Sequence, residues 1–168
     1  MSADLKDYRA ARKAFIAACE AAGVDAIARV HPIRGRDGKP LFMDAAALGP
    51  RLAQKALLVL AHDLPGSAVL TGLMRQKVTP PGDARLVLVH APDPAAFAGM
   101  GGDGPWLLAS LSAVATEDLS KVAKLRVLNL NGGGSLPAAA LPGATILALP
   151  AKNIVAARDK ILAELVAL

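Results

Sequence analysis

Leu57-Leu58-Val59-Leu60-Ala61 is an unbroken apolar run, with no polar residue at either parity of the chain. A strand made of it has no face that can meet water, so it belongs inside a sheet with helices on both sides. Arg85 to His90 reads as a second buried strand. Between the two lie a stretch with helical spacing, Gly66 to Gln76, and a turn, Thr79-Pro80-Pro81-Gly82-Asp83. Strand, helix, strand in that order is a crossover unit, which joins parallel strands. The rest of the chain has to be accommodated around this α/β unit.

Upstream, Leu5, Tyr8, Ala11, Phe15, Ala18 and Ala22 step by three and four, so a helix over about 4–22 is expected, with Asp4 as its cap and Gly23 as its stop. Val24 to Ile33 and Pro40 to Leu48 read as a hairpin around an Asp37-Gly38 turn. Downstream, a glycine-rich connection over 98–104 is expected to be mobile. Trp106 to Val114 and Glu117 to Lys124 look helical. Leu125 to Leu130 reads as another buried strand, Ala144 to Leu149 reads as the last strand, and a helix with one apolar face runs from about Lys152 to Leu168. The expectation is one α/β domain over 1–168, with a mixed, mostly parallel sheet of five or six strands and helices on both faces.

Composition narrows the class. A 54% hydrophobic content over 168 residues is ample for one core, and only Tyr8, Phe15, Phe42, Phe97 and Trp106 are aromatic. No apolar run approaches the roughly 18 residues of a membrane span, and the first residues lack the pattern of a secretion signal. The lone Cys19 cannot form an internal disulfide, so a cytoplasmic location is expected. The net charge is +5, but the basic residues are scattered from Lys6 to Lys160 without aromatic interleaving. Neither nucleic acid nor membrane is expected as a partner.

Candidate chemistry gathers where the two central strands end. His62 and Asp63 follow the first, and His90 ends the second, with Asp93 three residues on. Ligands of open α/β sheets bind beyond the carboxyl ends of the strands. A carboxylate three residues after His62 would complete a zinc-binding pair, but that residue is Pro65. Two histidines and one or two aspartates would make a weak transition-metal site. The plainer alternative for His62 is a strand-end imidazole bonded to backbone, and His31, next to Pro32 in the hairpin, reads as structural. Gly66-Ser67 opens a helix whose amides would suit an anion. Ser67 lacks the Gly-x-Ser-x-Gly elbow of a nucleophile, and no nucleotide-binding glycine pattern is present. Asn131-Gly132-Gly133-Gly134-Ser135 would wrap a phosphate or serve as a flexible link.

Several short pieces, in order, resemble a bacterial domain-of-unknown-function family related to the carboxypeptidase A-type zinc peptidases. They are Tyr8-Arg9-Ala10-Ala11-Arg12, His31-Pro32, Gly35-Arg36-Asp37-Gly38, Leu41-Phe42-Met43-Asp44, the strand before His62, Gly66-Ser67, and Val89-His90-Ala91 with Asp93-Pro94 and Phe97. The resemblance covers residue 8 to about 100. It implies a zinc-peptidase-like fold in which His62 stands at the first zinc ligand. The active pattern also needs a glutamate where Pro65 stands and a later histidine, and no histidine follows His90.

The resemblance therefore argues for the fold and against the activity. The expectation is a pseudoenzyme: a binding or assembly module for an unknown protein or small molecule, without metal or other cofactor, with His62, Asp63, Ser67, His90 and Asp93 as a vestigial site. The alternatives are a metal-dependent hydrolase with an incomplete or rebuilt site, and a structural subunit of a homo-oligomer.

Overall fold

A computed structural model of the chain describes residues 3–132 and 136–168. Its helices are α1 (Ala3–Ala22), α2 (Leu64–Arg75), α3 (Pro94–Phe97), α4 (Gly104–Asp118) and α5 (Ile154–Val166). Its strands are β1 (Ala26–Arg34), β2 (Pro40–Leu48), β3 (Lys55–Ala61), β4 (Ala84–His90), β5 (Lys124–Leu130) and β6 (Thr145–Leu149). They form one six-stranded sheet in the order β1-β2-β4-β3-β5-β6. β1 and β2 form the antiparallel hairpin, β2 joins β4 antiparallel, and β4, β3, β5 and β6 run parallel. This is the expected mixed, mostly parallel α/β sheet.

The apolar runs account for the sheet's two-sided core. Leu57, Val59, Leu86 and Leu88 face α1, α2 and α5 through Phe15, Leu70, Leu73 and Ile161. Leu58, Leu60, Val87 and Val89 face the other way, onto Leu111 and Val114 of α4 and onto a 3-10 turn at Ala138–Ala140. β3 and β4 are neighbours at the centre, with Ala61 opposite both His90 and Leu130. α1 stops as expected: Gly23 takes φ +70°, and the Val24 amide reaches back to the Cys19 carbonyl.

Three local expectations change. Asp4 lies in the first turn of α1 and does not cap it. No helix spans 117–124, because α4 already occupies Glu117 and Asp118. The chain then turns, and the Ala123 and Lys124 amides both bond to the Gln54 carbonyl, which delivers the backbone into β5. β6 is an edge strand exposed along most of its length. The 98–104 connection is tied at several points: the Gly99 and Met100 amides bond back to Ala96 and Ala95, and the Asp103 amide bonds to Asp93. Among the described residues, no helix is long and apolar enough to cross a membrane.

Candidate functional site

The parallel strands put His62, Asp63, Asn129 and Asn131 at one edge of the sheet, with Asn129 inside β5 and the other three just beyond the ends of β3 and β5. His62 is engaged there. Its Nε2 lies 2.6 Å from Oδ1 of Asn129, a residue only 5% exposed. With that oxygen as acceptor, Nε2 carries the hydrogen and Nδ1 keeps its lone pair. Burial pushes the His62 pKa below its ordinary value, with the bond to Asn129 and the charges of Asp63 and Asp93 opposing. Gly132 packs against the Asn129 amide, since a Cβ there would fall 1.8 Å from Asn129 Nδ2. A strand-end imidazole bonded to backbone does not describe His62. Its partner is a buried side chain from another strand, 67 residues away.

Asp63 is committed twice. One carboxylate oxygen caps α2 by accepting from the Gly66 amide at 2.8 Å, and the other accepts from Asn131 Nδ2 at 2.9 Å. Asn131 in turn accepts from the Ala151 amide at 2.6 Å while holding φ at +49°. The helix therefore begins at Leu64 and not at Gly66, and Pro65 fits its first turn, where a missing N–H costs nothing. The anion site expected at Gly66-Ser67 is not free, because the Gly66 amide is held by Asp63 and the Ser67 amide by the Asp63 carbonyl. Ser67 Oγ is buried without a hydrogen-bond partner. Of the 131–135 loop, residues 133–135 lie outside the described residues.

Asp93 serves the same local purpose as Asp63. It caps α3 through the Ala96 amide at 3.0 Å and accepts from the Asp103 amide at 2.6 Å. His90 shares the edge with His62 by register, but its ring is turned into the protein. It stacks on Phe15 at 5.5 Å and lies near Tyr8 and Phe97. Burial holds its pKa down to about 3, and both ring nitrogens lack hydrogen-bond partners. Asp44 Oδ2 stands 3.8 Å from His90 Nδ1, too far for a hydrogen bond to a neutral ring, and Asp44 is instead gripped by Arg12 in two bonds of 2.8 Å. His90 thus cannot join His62 around a metal.

The residues that carry the family resemblance hold the fold together. Tyr8 Oη donates to the Phe42 carbonyl and accepts from the Phe42 amide. Arg9 binds Asp37, and Arg12 binds Asp44, so α1 is pinned to the hairpin. His31 accepts from the Ile33 amide through Nδ1 and meets the edge of Trp106 at 4.8 Å, the structural role expected of it.

A hollow of about 440 Å³ opens beside His62, lined by Asp4, Asp7, Asp63, Leu64, Phe97 and Gly99 among others. Asp4 and Asp7 were missed from the sequence because they sit on α1, far along the chain. Asn129 left a signal: it is the one amide inside an otherwise apolar or aliphatic-stemmed buried strand. Among the described residues, no group of three or more His, Cys, Asp or Glu is placed to hold a metal ion. The zinc ion that the resemblance implies does not fit these residues, which offer one histidine nitrogen with no converging ligands.

No curated protein sequence matches the chain. Among solved structures it is similar to glutaminyl cyclase from Macrostomum lignano, at 16% identity and TM-score 0.47 over 76% of this chain and 50% of that one. It is similar to glutaminyl cyclase from Porphyromonas gingivalis, at 17% identity and TM-score 0.46 over 73% of this chain and 51% of that one. It is also similar to a leucine aminopeptidase precursor from Bacteroides thetaiotaomicron, at 14% identity and TM-score 0.43 over 71% and 52% of the two chains. The chain spans about half the length of each, and at these scores nothing of their chemistry is carried over to it. A model of the family described as Protein of unknown function (DUF2817) matches residues 5–100, more than half of the chain, and the chain belongs to that family.

Proposed function

We propose that this protein is a degenerate, non-catalytic relative of the zinc peptidases, a binding or assembly module that presents the carboxyl edge of its sheet to a protein segment or small molecule. The observation that carries this reading is that the polar groups a hydrolase would use are spent on the fold. His62 is bonded to Asn129, Asp63 caps α2 and holds Asn131, and Asp93 caps α3. A hydrolytic zinc site needs three protein ligands and an open position, and a residue so engaged leaves its bond partner unpaired if it turns to a metal. The hollow beside His62 carries three carboxylates and an apolar wall, with no Lys or Arg in its lining, which favours a ligand with a positively charged group. A cytoplasmic location belongs to the same reading, in keeping with Cys19 as a lone free thiol among the described residues.

Metal content tests the reading. Protein purified without chelator should carry far less than one zinc per chain, and added zinc should leave the melting temperature unchanged, because an ion that binds the folded state raises it. One tightly held metal per chain, or a zinc-dependent rise in melting temperature, would overturn the proposal in favour of a hydrolase with a rebuilt site.

A further inference from the structure

His31 is the one buried residue of β1, and it sits where that strand leaves its ladder. Val30 pairs with Phe42 and Arg34 with Pro40, so His31, Pro32 and Ile33 stand against Leu41 alone. Within this bulge the Ile33 amide donates to His31 Nδ1 at 3.1 Å, which leaves the ring neutral with its hydrogen on Nε2. Nε2 is buried without a hydrogen bond. Asp103 Oδ2 stands 3.4 Å away, beyond the ordinary length of a charge-assisted bond.

Asp103 is held in place from two other directions. Its Oδ1 caps α4 through the Trp106 amide at 2.9 Å, and its own amide donates to Asp93 at 2.6 Å. The Trp106 ring meets His31 edge-on at 4.8 Å and is fixed by a bond from Nε1 to the Pro92 carbonyl. The remaining charged groups of β1, β2 and α4 are engaged elsewhere: Arg29 with Glu117, Arg34 with the Gly38 carbonyl, Asp44 with Arg12, and Asp118 with Arg85. Asp103, with Asp93 behind it, is thus the acidic group that faces the ring.

We propose that His31 is a proton-operated latch between the β1–β2 hairpin and the start of α4. A proton taken from solvent at Nδ1 removes the lone pair that holds the Ile33 amide, so that bond breaks and the bulge is released. The ring is then a cation beside a carboxylate, and its Nε2–H closes on Asp103 Oδ2 by about 0.5 Å to a charge-assisted bond. The amino end of α4 opposes a positive charge there, and the carboxylate that caps it favours one. Protonation therefore trades a bond inside the hairpin for one between hairpin and helix. Histidine is the side chain that makes such a change between about pH 5 and 8.

Trp106, the lone tryptophan, reports the latch, because an imidazolium against an indole quenches its emission. In the intact protein that emission should fall through one transition between about pH 8 and about pH 5.5, and His31→Gln should abolish it. Asp103→Asn keeps a capping side chain at the start of α4 and removes only the charge, so the variant should fold and its transition should move down by about one pH unit. Protection of the Ile33 amide, from hydrogen exchange corrected for its intrinsic pH dependence, should drop at least about tenfold over the same range. Emission that does not titrate, a transition that survives His31→Gln, a midpoint indifferent to Asp103→Asn, or an Ile33 amide equally protected at both ends would overturn the proposal.

Discussion

His90 ends a strand whose carboxyl edge is the usual place for chemistry, and packing removes it from that edge. Its ring lies stacked on Phe15, with the Arg12–Asp44 pair close by. The folded-state pKa of about 3 is below the ordinary 6.5. Between those values the unfolded chain takes up a proton that the folded chain refuses, so stability falls as pH drops through that window, by at most about 1.4 kcal/mol per pH unit. His62, also lowered, acts in the same direction. Asp44 acts oppositely: burial raises its pKa above 3.8, so its contribution is present below 3.8 and is lost as pH rises through the raised value. His90→Phe, which keeps an aromatic ring in the box, should flatten the loss of stability between pH 6.5 and 3 without abolishing it, as read from urea melts across that range. An unchanged slope would mean that the folded protein protonates His90 readily and that the box is open to water.

Elements followed from local pattern wherever the pattern had one interpretation. β3 and β4 are apolar at both parities, and only a central parallel position satisfies that. Leu58, fully buried against α4, should therefore cost about 2 to 5 kcal/mol on truncation to alanine. Leu147, equally apolar but 38% exposed on the edge strand β6, should cost less than about 1 kcal/mol. Denaturant midpoints of the two variants check the contrast, and equal losses would place β6 in the core. Composition does not separate Leu58 from Leu147, because what differs is whether another element lies over the strand. The segment 117–124 failed for a related reason. Leu119 and Val122 have helical spacing, but the Gln54 carbonyl takes the amides of 123 and 124 and turns the chain into β5.

At the scale of the molecule the sheet has a protected middle and two dissimilar edges. β1 carries Pro32 and a register shift between Val30 and Arg34, both of which discourage a further strand from pairing. β6, Thr-Ile-Leu-Ala-Leu, has neither proline nor charge. Hydrogen exchange should leave the amides of β3, β4 and β5 the slowest, with β1 and β6 exchanging faster through local opening. If β6 were protected as strongly as β3, the picture of an uncovered edge would have to be given up. The two faces differ as well. Three helices cover one, while α4 and the 3-10 turn cover the other.

By itself the sequence determined what depends on near neighbours: the two central strands and their crossover, the hairpin, the stop at Gly23, and family kinship over residue 8 to about 100. Periodicity, capping and turn chemistry act within a few residues, so a single chain displays them. Tertiary structure decided what each of those groups then does. Asn129 reaches His62 only because β5 lies beside β3, Asn131 reaches Asp63 across the same edge, and His90 is neutral because α1 lays Phe15 and Tyr8 against it. Strand order and helix placement are set by the burial of the whole core at once. A histidine at a strand end is therefore legible from local sequence, and the partner that occupies it is not.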